Sequence, residues 1–304
     1  MDETHVQVPR AWEQLTLDRL RGTLMVIGGT DTGKSTFARY LFCRLCAQGR
    51  RVAYLDGDPG QSTLGPPTTM TLALGTDGAS FPPAGQAWRW FVGAVSPRGH
   101  MLPLLAGAAR LIQAAYDAGT EVVVYDTTGM INPEHGGMAL KLAKVDLLRP
   151  AAVFAIQRGY EIESLLVALR RSRRVRVIDL RSCPAVQRRD VPARQKHRAA
   201  QFARYFAGAR SLTVDWGQLA VLPSFHFAVD RLLALEDVDG FALGLGIVKA
   251  FAPGKREAVL YTPLPSLDGV DALRIGDVLV DPRTFQDRRW VHLHGQGSQG
   301  PQDA

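Results

Sequence analysis

TLMVIGGTDTGKST, residues 23–36, is the stretch that decides the fold of this 304-residue chain. Thr23 through Ile27 form an apolar, partly β-branched run that reads as a buried strand. Glycines follow at Gly28, Gly29 and Gly33, and then Lys34, Ser35 and Thr36. Residues 34–49 carry apolar positions at helical spacing and stop at a glycine. A strand, a glycine-rich turn and a helix N-terminus together point backbone N–H groups at a phosphate, and the helix dipole adds positive charge there. The spacing G-x-x-x-x-G-K-S assigns the parts. Amides of Gly29, Thr30, Asp31, Thr32 and Gly33 wrap the phosphates. Lys34 bridges the β- and γ-phosphates of a nucleoside triphosphate, the Ser35 hydroxyl ligates Mg²⁺, and Thr36 lies near the α-phosphate.

Outward from this loop, apolar runs at 51–58, 121–129, 151–157 and 175–180 read as further strands, and 102–119 and 137–148 are helical in period. Short buried strands separated by helices predict an α/β fold of the P-loop NTPase type, a parallel sheet with helices on both faces. Residues 62–103 are rich in Pro and Gly and contain Trp88, Trp90 and Phe91. They are expected to cover the sheet's carboxyl edge or to form an insertion. From about Leu212 the texture changes to short strands, at 219–225, 241–251, 257–264 and 273–280. The predicted organisation is an N-terminal segment over 1–20, a nucleotide-binding domain over 21–210, a small, mostly β C-terminal appendage over 211–287, and a low-complexity, disordered tail over 288–304.

Ligands of such sheets bind beyond the carboxyl ends of the strands. The second strand leaves the sheet there as YLDGDPGQS, residues 54–62, and the third as DTTG, residues 126–129. Two carboxylates beside a triphosphate divide the work: one holds Mg²⁺ and the other takes the proton of an attacking hydroxyl. Asp58 is assigned to the hydroxyl and Asp56 to the metal shell, although the spacing alone permits the reverse. Gln61 is placed to orient a phosphate or a water. Asp126, an acid after four apolar residues, fits a second metal-side carboxylate.

The formal net charge is +7. Residues 158–210 hold 14 Lys/Arg against 4 Asp/Glu, more than the whole chain's excess. Within them, 193–208 reads as a helix with Arg194 and Arg198 at i, i+4, where guanidinium forks can meet phosphate oxygens. Phe202, Tyr205 and Phe206 are expected to pack this helix rather than stack on bases. Arg181, Arg188 and Arg189 are candidates for acceptor phosphates. An anionic partner suits this balance, which does not by itself name one. Three cysteines, Cys43, Cys46 and Cys183, exclude a disulfide framework and indicate a reducing, cytoplasmic compartment. Cys43 and Cys46 read as two small residues of a helix face. No signal peptide and no membrane-spanning run is visible, so no membrane partner is expected.

GGTDTGKST, LDGDPGQSTLGPP, FVGAVSP (91–97), DTTGMI (126–131) and the R-x-x-x-R of Arg194 and Arg198 together resemble the polynucleotide 5′-hydroxyl kinases. That family includes the kinase subunit of the pre-mRNA cleavage factor and the nucleolar kinases of ribosomal RNA processing. The compact form is similar to the short prokaryotic members. The resemblance implies transfer of the γ-phosphate of ATP to the 5′-hydroxyl end of RNA or DNA, with ATP and Mg²⁺ bound by Lys34 and Ser35. It implies that an Asp of the D-x-D run activates the hydroxyl, that Thr127, Thr128 and Gly129 form a clasp on the acceptor end, and that Arg194 and Arg198 form a lid. Two departures stand out. Only a short segment precedes the first strand, with Trp12 as a candidate adenine contact, and Met130 occupies a clasp position often held by Trp. The alternatives are a P-loop kinase or ATPase acting on a small molecule, and a non-catalytic ATP-binding scaffold.

Overall fold

In the computed structural model, residues 8–76, 80–223 and 226–290 are described. Of the tail expected to be disordered over 288–304, residues 288–289 instead belong to a strand, Asp287–Arg289, and 291 onward lies outside the described residues. The chain runs α1 (Arg10–Glu13), β1 (Gly22–Gly28), α2 (Lys34–Ala47), β2 (Val52–Gly57), β3 (Thr69–Leu74), β4 (Ala87–Phe91), α3 (Met101–Asp117), β5 (Val122–Thr127), α4 (Gly137–Leu148), β6 (Ala152–Gln157), α5 (Glu163–Ser172), β7 (Arg176–Arg181) and α6 (Val191–Tyr205). A strand-rich half follows: β8 (Arg210–Asp215), β9 (Ala220–Leu222), β10 (Arg231–Glu236), β11 (Ala242–Ala252), β12 (Glu257–Thr262), β13 (Ala272–Val280) and β14 (Asp287–Arg289).

The first sheet has the order β4-β3-β2-β5-β1-β6-β7. Strands β2, β5, β1, β6 and β7 are parallel, whereas β3 runs antiparallel to both its neighbours, so that β4 at the edge points the same way as β2. This corrects the reading of 62–103 as cover or insertion and adds one antiparallel strand, β3, to the expected parallel sheet. Pro and Gly clusters flank these two short strands rather than break them. Alternation along β1 splits the core into two layers. Leu24 and Val26 pack with Phe37, Leu41 and Leu45 of α2 and with Trp12. Met25 and Ile27 pack with Leu104 and Leu111 of α3, Leu140 of α4 and Leu166 of α5. Among the described residues no helix is long and apolar enough to cross a membrane.

The second sheet, β14-β13-β10-β11-β12-β8 with β9 beside β13, is antiparallel along that path. One face closes on Trp216 and Phe227. The other packs Leu232, Ala234 and Ile247 against Phe91 of β4 and against Phe202 and Phe206 at the end of α6. The rings of this basic helix are therefore spent on the C-terminal sheet: Phe206 stacks at 5.9 Å on Tyr261 and 6.0 Å on Phe285. Asp190 starts the helix by accepting the Ala193 amide at 2.8 Å. Arg198 Nε meets Asp287 Oδ1 at 2.8 Å, with the side chains 13% and 6% exposed. Breaking a pair that dry leaves a charge stranded. Asp287→Ala is expected to lower stability by about 3–5 kcal/mol, read as a lower denaturant midpoint at constant slope.

Candidate active site

Strands β1, β5 and β2 are adjacent and parallel, so their carboxyl ends meet at one edge. Val26 pairs with Asp126, Asp126 with Asp56, and Gly57 with Thr127. The phosphate loop leaves β1 at that edge and enters α2 through Gly33, whose φ of 91° is left-handed backbone that suits glycine. Thr32 Oγ1 donates to Gly29 O at 3.0 Å, and Lys34 Nζ donates to the same oxygen at 2.5 Å. Lys34 is only 7% exposed. Burial pulls its ammonium below the usual lysine range, against the pull of Asp126, Asp58 and Asp31. Thr30 Oγ1 ties the loop to Gly129 O at 3.2 Å.

Asp126 is buried at the end of β5 and takes the Tyr54 hydroxyl on Oδ2 at 3.3 Å. Its Oδ1 is buried without a hydrogen-bond partner. Burial and the neighbouring Asp56 push its carboxyl up to about 7, while Lys34 and the Ser35 side chain pull it down. A hydroxyl beside a carboxylate with an uncommitted oxygen is a hard-oxygen donor set. It fits Mg²⁺, which keeps waters and needs few protein ligands.

Asp56, expected in the metal shell, is engaged otherwise. Its Oδ2 accepts the amides of Thr63 and Leu64 at 2.6 and 3.0 Å and the hydroxyls of Thr63 and Ser62 at 3.1 and 3.2 Å. It folds the segment after β2 back onto the sheet. Asp58 is different. Its Oδ1 receives the amides of Gly60 and Gln61 at 3.0 and 3.1 Å, an Asx turn that orients the carboxylate. Gln61 Nε2 donates to Gly60 O at 2.5 Å and its Oε1 is buried without a partner.

The expected clasp residues form the floor of the edge. Thr127 and Thr128 are buried, and Thr127 Oγ1 donates to Val26 O at 2.7 Å. Thr128 O accepts Lys141 Nζ at 2.8 Å. Lys141 and Lys144 of α4 are both 1% exposed and were not among the sequence candidates. Lys144 Nζ lies 4.8 Å from the centre of the Tyr125 ring and has no hydrogen-bond partner. Burial drives Lys144 down to about 7 against the pull of Asp58 and Asp126, and burial with repulsion from Lys34 and Lys144 holds Lys141 well below the usual lysine range. The signal was available: both lysines fall beside Leu140 and Val145 on the buried side of α4.

Arginines reach the loop through Asp31. Arg194 Nη2 meets Asp31 Oδ2 at 2.7 Å, the Arg189 amide donates to the same oxygen at 3.0 Å, and Arg158 donates to the Asp31 carbonyl. Burial pushes the Asp31 carboxyl up, but Arg189 and Arg194 outweigh it and hold it below the usual range. The helical pair thus divides, Arg194 on the phosphate loop and Arg198 on Asp287. Arg181 and Arg188 are exposed. Trp12, considered for adenine, is buried with its ring 5.0 Å from Phe37 and 5.3 Å from Tyr40. Trp88 and Trp90 are partly buried against the layer containing α3. Cys43, Cys46 and Cys183 are free thiols, and burial raises Cys46 to about 11.

A parallel sheet whose first strand runs into this loop, with a buried lysine and a carboxylate at the next strand's end, defines a P-loop nucleotide-binding protein. The family model described as mRNA cleavage and polyadenylation factor CLP1 P-loop matches residues 28–208, and the chain belongs to that family. It is 31% identical to a polyribonucleotide 5′-hydroxyl-kinase of Thermococcus kodakarensis, over 85% of this chain and 88% of that one. It is 26% identical to one of Pyrococcus horikoshii over 89% of each. Among solved structures, a Clp1p–Pcf11p complex superposes with a TM-score of 0.64 at 13% identity, covering 86% of this chain and 75% of that one, which speaks for the fold.

Proposed function

We propose that this chain is an ATP-dependent polynucleotide 5′-hydroxyl kinase of a reducing, cytoplasmic setting. The observation that carries the reading is the convergence, at one sheet edge, of the Lys34 loop, the Ser35–Asp126 pair, the oriented carboxylate of Asp58 and the Arg194 guanidinium. Loop amides and Lys34 would hold the triphosphate, and Ser35 and Asp126 would hold Mg²⁺. That ion would supply charge neutralisation for the transferring phosphoryl group. Asp58 accepts the proton of the 5′-hydroxyl. The freed oxygen bonds to the γ-phosphorus, the bond to the β–γ bridging oxygen breaks, and ADP leaves with that electron pair. Arg194, released from Asp31, meets charge on the transferring group. Gln61 orients the acceptor, and Thr127, Thr128 and Gly129 shape the floor beneath it. Asp56 keeps the segment after β2 in place.

The test is incubation with γ-labelled ATP and matched 5′-hydroxyl RNA and DNA oligomers, single- and double-stranded. Label at the 5′ end of at least one is expected; ATP turnover with none labelled sinks the proposal. A second variant probes the turn. A Cβ at Gly60 would sit 2.3 Å from the Val95 carbonyl oxygen. Gly60→Ala must shift one backbone or the other, and Asp58 is pinned to the Gly60 amide. A stability loss of about 1–3 kcal/mol is expected by thermal unfolding. A fall in kcat/KM of about tenfold should accompany it, the scale of a roughly 1.4 kcal/mol misplacement.

A further inference from the structure

A second cationic feature lies outside the site described above. Between the segment after β4 and the strands β13 and β14 runs a cleft lined by Val95, Arg98, His100, Asp277, Arg288 and Arg289, among others. Its one carboxylate is spent. Asp277 Oδ2 meets His100 Nε2 at 3.1 Å and its Oδ1 meets Arg231 Nη2 at 3.2 Å. Arg98, Arg288 and Arg289 are exposed, and among the described residues no acidic side chain pairs with them. The N-terminus of α3 opens beside His100, which makes no side-chain cap bond, and adds partial positive charge.

The position of the cleft names its occupant. One wall, Val95, is the backbone that packs on Gly60, two residues from Asp58. The other wall, β14, begins at Asp287, which holds Arg198 of α6 one helical turn beyond Arg194. The cleft therefore lies one contact away from the turn that carries the proton acceptor on one side and from the helix that carries the loop arginine on the other. We infer that the cleft is the track for the acceptor strand, in which Arg98, Arg288 and Arg289 bind phosphodiesters downstream of the 5′ end. This rests on the polynucleotide reading above and adds where the strand runs. Exposed guanidiniums without acidic partners suit a backbone that presents a phosphate at every step, and they carry no base readout. Length dependence without sequence preference follows.

The experiment uses the full chain with Arg98→Ala, Arg288→Ala and Arg289→Ala combined, all three being exposed. As a control, Arg171→Ala, Arg173→Ala and Arg176→Ala remove equal charge from the end of the sheet where β7 begins, opposite the phosphate loop. Binding of a fluorescent single-stranded 5′-hydroxyl 12-mer is followed from 50 to 300 mM salt. The cleft variant is expected to lower the log–log salt slope by about 2, for three phosphates at roughly 0.7 each, and to weaken binding about tenfold or more. Its KM for a 12-mer should rise more than its KM for a dinucleotide. The control should stay within about twofold. An unchanged slope and an unchanged KM ratio overturn the track, as they would if the cleft takes an acidic peptide. If wild type labels no oligomer yet the slope still drops, the track stands and the phosphate-transfer reading falls.

Discussion

Lys34→Ala is expected to lower transfer to a 5′-hydroxyl end by about 10³-fold or more, the scale of removing one preorganised charge from a transferring phosphoryl group. In the structure Lys34 Nζ is held by Gly29 O within its own loop, so the ammonium is stored where the phosphates bind. Storage has a stability cost. Burial depresses the amine below its unfolded value of 10.5, so between the two values the unfolded chain binds more protons. The destabilisation from this group is therefore full below its folded value and is relieved as pH rises through that value toward 10.5. Lys34→Met, which keeps the stem and removes the charge, should raise the melting temperature of the nucleotide-free protein at pH 7 and flatten its rise toward pH 9. Lys141 and Lys144 are depressed in the same direction, so the rise should be reduced rather than abolished. A Met variant that still transfers phosphate would remove Lys34 from the chemistry.

How much of this was legible depends on the range of each interaction. The β1–loop–α2 unit was readable because strand, glycines and helix are contiguous, and α4 matches its expected bounds of 137–148 because Gly136 and Pro150 bracket a run of good helix formers. Strands β3 and β4 were hidden by the Pro and Gly residues around them, and α5 is short and Arg-rich at its end. The site was legible where chemistry is local. A D-x-D run shows two acids, but which one is saturated depends on residues 62–64 folding back onto Asp56. Arg194 and Arg198 look equivalent on a helical wheel, and only the arrival of β14 gives one of them to Asp287. Lys141 and Lys144 were passed over because lysine on a helix is taken as a surface residue. Their burial follows from α4 packing at the end of β5, where Lys141 reaches the Thr128 carbonyl and Lys144 the Tyr125 ring. These are tertiary facts, and local pattern does not encode them.

Asp58→Asn is expected to lower kcat by about 10²–10⁴-fold, the range for a positioned proton acceptor, with nucleotide affinity held within about threefold. The asparagine variant is chosen for what it keeps. Asp58 Oδ1 is fixed by the amides of Gly60 and Gln61, and an asparagine oxygen can accept both, so the turn and its contact with Val95 survive. What is lost is the negative charge and the basic oxygen. Asp58→Ala should lose more, because it also releases the turn, and the difference between the two measures orientation against proton transfer. Asp56 provides the contrast. Its Oδ2 gathers four donors, so in Asp56→Asn the amide oxygen that keeps them loses its full negative charge, and the amide nitrogen faces the Asp58 N–H that lies 3.4 Å from Oδ1. Its main effect should fall on folding stability, with kcat in the surviving folded fraction reduced less than in Asp58→Asn. Single-turnover assays at saturating ATP, paired with thermal unfolding of each variant, separate the two. If Asp56→Asn proves the more damaging to chemistry at equal stability, the proton acceptor is Asp56, and the hub of hydrogen bonds around it must open when the acceptor binds.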